Sequence, residues 1–174
     1  LGAQAVGADG VDRRIDVIAT AMRAGLKATD LIDLDLAYAP PYGQAKDPVN
    51  QTGMVAHNVL TGELVLIGPD ALTEDMPVLD VRTVGEYAAG HMPNSLNIPH
   101  TQLRDRLDEV HAWVDETVGD QPFVVMCAAG VRSWIGYRIV RHAGFNVTML
   151  SGGIQTLRAW LGEKAEAVLV KGEG

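Results

Sequence analysis

From about residue 78 onward the chain alternates short apolar runs with helical patterns, and this alternation restricts its fold more than any other feature. Residues 78–81, 95–98, 122–126 and 147–150 read as strands; 83–89, 102–110, 132–143 and 154–161 read as helices. Strands separated by helix-length segments join in parallel through crossovers. The expectation is an α/β fold: a mostly parallel sheet with helices on both faces.

The third strand, Pro122-Phe-Val-Val-Met126, runs directly into Cys127-Ala-Ala-Gly-Val-Arg-Ser133, and Cys127 is the single cysteine of the chain. A thiol at a strand-to-helix turn faces loop N–H groups and the positive end of the helix dipole. Such surroundings lower a cysteine pKa from about 8.5 towards or below neutrality. Arg132 adds a permanent positive charge. A lone cysteine behaves as a small buried hydrophobe in most folds. Packing alone, however, requires neither Arg132 nor Gly130, whose freedom at positive φ allows a cradle of inward-pointing N–H groups. Cys127 and Arg132 are therefore the catalytic candidates. The backbone of Ala128, Ala129, Gly130, Val131 and Ser133 is the candidate substrate cradle, and the Ser133 hydroxyl is a possible further donor.

The stretch from Cys127 to Arg132 resembles the active-site loop of the rhodanese sulfurtransferases. A second stretch, Leu79-Asp-Val-Arg-Thr-Val-Gly-Glu-Tyr-Ala-Ala-Gly-His-Met-Pro-Asn-Ser-Leu-Asn-Ile-Pro99, is similar to the upstream signature of that family. Asp80, Arg82, Glu86, Tyr87, Gly90, His91, Asn97, Ile98 and Pro99 all fall on it. The resemblance covers residues 63–165 and implies a rhodanese-like domain that carries a persulfide on Cys127. The related cysteine phosphatases place one more residue between cysteine and arginine, which argues against phosphatase chemistry. Asp80 and Arg82, at the end of a strand, read as an ion pair that supports the site. His91 reads as a residue holding the loop-to-strand connection.

Two departures from the common family pattern stand out. Ala128 and Ala129 occupy places where many thiosulfate-using members carry a cation or polar group. Fewer cations weaken the attraction for the thiosulfate dianion and point towards an organic persulfide donor. Gly152-Gly153 resembles the closing motif of the family, with Leu157 where tryptophan is frequent and Trp160 a turn later. That reads as a change of packing.

The first sixty residues differ in character. Residues 10–25 form an amphipathic helical pattern with apolar positions at 11, 15, 18, 19 and 22, closed by Gly25. Asp47-Pro48 is a cap followed by a first-turn proline. It opens a second helix through Val49, Met54, Val55, Val59 and Leu60, stopped by Gly62. Between them lies a proline-stiffened apolar loop in which Tyr38 and Tyr42 read, on physical grounds, as ordinary packing. His57 reads as a helix-surface or packing residue.

Residues 1–7, the first helix, Tyr38-Ala-Pro-Pro-Tyr-Gly43 and Asp47-Pro-Val-Asn50 resemble the C-terminal dimerisation domain of FAD-dependent pyridine nucleotide-disulfide oxidoreductases, on the branch of the coenzyme A-disulfide reductases and NADH oxidases. Together the two resemblances imply an α+β dimerisation-domain remnant over 1–62, a rhodanese-like domain over 63–165 and a tail over 166–174; residues 167–170 read from the sequence as a short strand. The second resemblance also implies a homodimer through 1–62, with Tyr38 contacting coenzyme A at the partner's active site. The chain would then be the C-terminal fragment of a flavoprotein that uses FAD, NAD(P)H and coenzyme A. No Gly-x-Gly-x-x-Gly fingerprint and no second cysteine occur, so no cofactor is expected on this chain itself, and no metal.

Composition narrows the partners. A net charge of −8 disfavours nucleic acid and anionic membranes. A hydrophobic content of 47% over 174 residues supports a real core. One cysteine rules out an internal disulfide framework and suits a reducing cytoplasm. No apolar run approaches the roughly 18 residues of a membrane span. The expected ligands are small sulfur donors (coenzyme A persulfide, other persulfides, thiosulfate) and thiol acceptors. Three readings remain open: a sulfurtransferase domain of a coenzyme A-disulfide, persulfide or polysulfide reductase, a redox-sensing module, and a non-catalytic docking module.

Overall fold

The computed structural model describes residues 2–41 and 43–172; Tyr42 lies outside them, as do Leu1, Glu173 and Gly174. The chain divides into two compact units, Leu1–Leu64 and Val65–Gly174.

The first unit is built on two helices, α1 (Val11–Arg23) and α2 (Pro48–Leu60), with a 3-10 helix at Ala28–Asp33. The Asp47 side chain accepts the Val49 N–H, and Pro48 occupies the first helical position, where a missing N–H costs nothing. Arg14 joins the two helices by donating to the same carboxylate at 2.7 Å. The small core is Ala21, Leu31 and Val49, flanked by Val17, Ile18, Leu34 and Leu36. This core turns α1 slightly away from the expected face: Ala21 is buried, while Ala19 and Met22 are exposed. Asn50 is buried against the 3-10 segment, and its amide donates to the carbonyls of Leu31 and Leu34 at 3.0 Å each. Residues 2–7 take no regular secondary structure. A strand needs a hydrogen-bonded neighbour, and none exists among the described residues of this unit.

The second unit holds a five-stranded, all-parallel sheet in the order β1-β5-β4-β2-β3. Its strands are β1 (Leu66–Ile67), β2 (Val78–Asp80), β3 (Ser95–Asn97), β4 (Phe123–Met126) and β5 (Val147–Leu150). Its helices are α3 (Val84–Ala88), α4 (Leu107–Trp113), α5 (Val131–His142), α6 (Gly153–Leu161) and α7 (Ala165–Val168). β1, with two residues, is too short to show a period in the sequence. Residues expected to begin α4 at 102 form turns instead, and the helix starts at Leu107.

Alternation along β4 places helices on both faces of the sheet. Val124 and Met126 join Val78, Leu150, Ile154 and Leu157 in one buried cluster, which packs α6 on that face. Val125 points the other way, where α5 comes so close that a β-carbon on Gly136 would lie 3.0 Å from Val81 and 3.4 Å from Val125. Leu157 fills a core position at 2% exposure, while Trp160 is 62% exposed, as the packing reading of that pair requires. The expected strand at 167–170 gives way to α7 followed by a single antiparallel bridge between Val170 and His91, and Leu169 enters the core.

Candidate functional site

The site forms where two central strands end side by side. Asp80, the last residue of β2, pairs in register with Met126, the last residue of β4. The residues that follow each strand therefore leave the sheet together at its carboxyl edge, where open α/β sheets place their working groups.

Cys127 follows β4 directly, and its sulfur lies at the centre of the turn into α5. The residue is 1% exposed. The Gly130 N–H donates to Sγ at 3.2 Å, in a turn that needs φ +120 at Gly130. Burial is the largest influence on the thiol and pushes its pKa up. Donation from the Ser133 hydroxyl and from the N–H groups of Gly130, Ser133 and Ala129 together outweighs it, so the net shift is downward. Gly130 thus donates to the sulfur in good geometry, while Ala129 and Ser133 lie close enough to favour its anion. Ala128 turns its carbonyl to the N–H of Gln155 (3.1 Å), and the Val131 side chain is 74% exposed.

The Ser133 hydroxyl is buried and has no hydrogen-bond partner of good geometry among the described residues. It still lies within reach of the sulfur and favours its anion. A buried hydroxyl without a firm partner is costly unless something is to fill its place.

Arg132 points to Glu86. Its two terminal nitrogens donate to the two carboxylate oxygens at 2.7 Å each, a bidentate pair across 46 residues of sequence. These bonds hold the Glu86 carboxyl well below the usual carboxylate range, against the smaller opposing effect of burial. The guanidinium pKa is raised first by Glu86, and further by the nearby Cys127 sulfur. Glu86 also serves α3: it accepts the Thr83 N–H (3.1 Å) and hydroxyl (2.8 Å), closing a capping box. In the sequence Glu86 falls on the upstream signature with no role of its own. The Thr83-x-x-Glu86 box was the available signal, and it spoke only of a helix start.

Asp80 and Arg82 are buried together, at 0% and 3% exposure. The Arg82 Nε donates to the Asp80 carboxylate at 2.9 Å and its Nη2 at 2.6 Å. The remaining donors reach the carbonyls of Glu86 (3.0 Å) and Gly90 (2.9 Å), so the pair holds the middle of α3 and the turn that follows it. His91 stacks on Tyr87 with ring centroids 3.7 Å apart, and its Nδ1 lies 3.0 Å from the Tyr87 carbonyl. Together with the bridge to Val170, this makes His91 part of the connection between α3 and β3. Tyr38 belongs to the first unit, is 54% exposed, and lines a shallow cleft with Arg13, Arg14 and Asp47.

Residues 69–159 match the model of the rhodanese-like domain. The chain belongs to that family. It is also similar to the coenzyme A disulfide reductase of Staphylococcus haemolyticus, 48% identical over 59 residues, which is 34% of this chain and 13% of that protein. Among solved structures, reduced Bacillus anthracis CoADR-RHD superposes with a TM-score of 0.82 at 36% identity, covering 93% of this chain and 28% of that one. The NAD-dependent persulfide reductase from A. fulgidus gives a TM-score of 0.75 at 41% identity, covering 86% and 26%. The rhodanese-like chain described here therefore spans only a small part of the reductases it resembles.

Among the described residues no helix is long and apolar enough to cross a membrane, and no group of three acidic, histidine or cysteine side chains is placed to hold a metal ion.

Proposed function

We propose that this chain is a sulfurtransferase domain that carries a persulfide on Cys127, within an FAD- and NAD(P)H-dependent coenzyme A-disulfide, persulfide or polysulfide reductase. The observation that carries this reading is the Cys127 sulfur, buried yet held towards the thiolate by converging donors, beside a Ser133 hydroxyl that still lacks a firm partner.

The Cys127 thiolate attacks the outer sulfur of a donor persulfide, R–S–SH. A new S–S bond forms to Cys127, the old one breaks, and R–S⁻ leaves. An acceptor thiolate then attacks the terminal sulfur of Cys127–S–SH, carries it away as its own persulfide, and restores the Cys127 thiolate. Neither step has a net oxidant or reductant. The N–H groups of Ala129, Gly130 and Ser133 stabilise the sulfur anion in both steps, and the Ser133 hydroxyl supplies a further donor. Arg132, held by Glu86, lies beside the Cys127 sulfur and favours its charged form.

FAD and NAD(P)H find no fitting residues here. The chain has no dinucleotide fingerprint, and the glycine-containing turn at the start of α5 closes on a sulfur atom. No step of the transfer is routed through them. Exposed Met22, Leu26, Val55, Val59 and Leu60 in the first unit support a self-association surface there, in keeping with a dimerisation segment over 1–62. Within such a dimer Tyr38 contacts coenzyme A. A cytoplasmic setting suits a lone thiolate.

Intact mass of the wild-type chain and of Cys127→Ser, after incubation with coenzyme A persulfide and separately with thiosulfate, tests the proposal. A gain of one sulfur on the wild type alone, removed by cyanide or added thiol, is the expected result. No gain from either donor overturns it.

A further inference from the structure

We propose that Glu86 sets donor specificity by cancelling the charge of Arg132, so that the loop selects persulfides on an uncharged arm over the thiosulfate dianion; this rests on the sulfur-transfer reading above.

Arg132 is the one cation of the 127–133 turn. In the resting structure both of its terminal nitrogens are committed to Glu86. Bidentate arginine–carboxylate bonds are among the stronger and more directional polar contacts, and the backbone N–H of Thr83 holds Glu86 from its other side. An anionic donor must therefore compete for Arg132 with a carboxylate already fixed in place, and meets that carboxylate's negative charge on approach. A donor with an uncharged arm brings at most the single charge of its own outer sulfur and meets both obstacles more weakly than a dianion. The surroundings agree: exposed Val131 adjoins Arg132 in sequence and exposed Val84 lies two residues from Glu86, Ala128 and Ala129 supply no further cation, and the chain carries a net charge of −8. Glu86 thus leaves Arg132 in position for the Cys127 sulfur while removing most of its pull on free anions.

Cys127 is the only thiol, so two pairs of probes read the effect directly. The first is the rate of sulfur loading from thiosulfate against the persulfide of N-acetylcysteamine. The second is alkylation by iodoacetate against iodoacetamide, which differ chiefly in charge and need no sulfur transfer. Glu86→Gln is expected to raise both anionic-to-neutral rate ratios roughly five-fold, the size of one partly screened unit charge at short range. Raising the salt concentration should shrink the gain. Thr83→Ala removes the hydroxyl from the cap of α3 while keeping the carboxylate, and should leave both ratios at the wild-type value. Unchanged ratios in Glu86→Gln, or the same rise in Thr83→Ala, would overturn the proposal. If the wild type loads no sulfur from either donor, the transfer reading falls, and the alkylation ratios still decide whether Glu86 masks Arg132.

Discussion

Gly153 lies so close beneath Cys127 that a β-carbon on it would stand 2.5 Å from the Cys127 carbonyl oxygen and 2.7 Å from that of Ala128. The approach lets α6 grip the loop by its backbone: the N–H of Ile154 donates to the Cys127 carbonyl at 2.9 Å, and that of Gln155 to the Ala128 carbonyl at 3.1 Å. The same carbonyls cannot then turn towards the sulfur, and the N–H groups on the other side of the chain are left to face it.

Gly153→Ala should therefore damage both stability and reactivity. Its φ of +61 is unfavourable for alanine, and the obstructing atoms are backbone, which cannot swing aside. Strain and displacement together should cost about 2–4 kcal/mol. Urea unfolding checks the loss, and slowed alkylation of Cys127 in the still-folded protein checks that the loop has moved.

Ser133→Ala tests the hydroxyl. In the wild type, burial raises the thiol pKa and the donors more than reverse it, so the midpoint of alkylation rate against pH should fall below that of a free cysteine. Without the hydroxyl the midpoint should rise. The sign for stability follows. A thiol whose folded pKa is depressed contributes stability that is fully present above the unfolded value and is lost as pH falls through the folded one. Wild type and Ser133→Ala should accordingly differ most in alkaline solution and converge in acid, which pH-dependent denaturation curves can verify.

Much of this site was legible because its chemistry is local. Cys127, Gly130, Arg132 and Ser133 sit within one turn, and β4 and β5 end within a residue of where their apolar runs end. Asp80 and Arg82 were readable as a pair because they lie two residues apart. What stayed hidden depends on crossings of the chain. Glu86 meets Arg132 across 46 residues, and Gly153 meets Cys127 only after β5 has been added to the sheet. Neither meeting leaves a period or a spacing in the sequence. The two-residue β1 is hidden for another reason: its pairing with β5 is the whole of its identity as a strand.

Arg82→Met should be among the most destabilising single changes in the second unit. It leaves the Asp80 carboxylate buried without its partner and frees the carbonyls of Glu86 and Gly90. Loss of one member of a buried ion pair costs about 3–5 kcal/mol. Because Arg82 holds the Glu86 backbone, the variant should also loosen Arg132, and the ratio of iodoacetate to iodoacetamide alkylation should change along with the denaturation midpoint.

In the first unit two opposing effects meet at Gly53, inside α2. Replacing a mid-helix glycine by alanine ordinarily stabilises a helix by about 0.5–1 kcal/mol. Here the added carbon would lie 2.8 Å from the Ile32 backbone nitrogen, 3.0 Å from the Leu31 β-carbon and 3.1 Å from the Ala28 carbonyl oxygen. Two of these three atoms are backbone of the 3-10 segment, which Asn50 ties down through the carbonyls of Leu31 and Leu34. The segment cannot yield without breaking those bonds, so crowding should outweigh the gain in helix propensity and leave a net loss of about 1–3 kcal/mol. Faster amide hydrogen exchange across Pro48–Leu60 in Gly53→Ala, with the second unit unaffected, is the expected outcome. Slower exchange there would mean that the 3-10 segment gives way freely and that Asn50 does not anchor it.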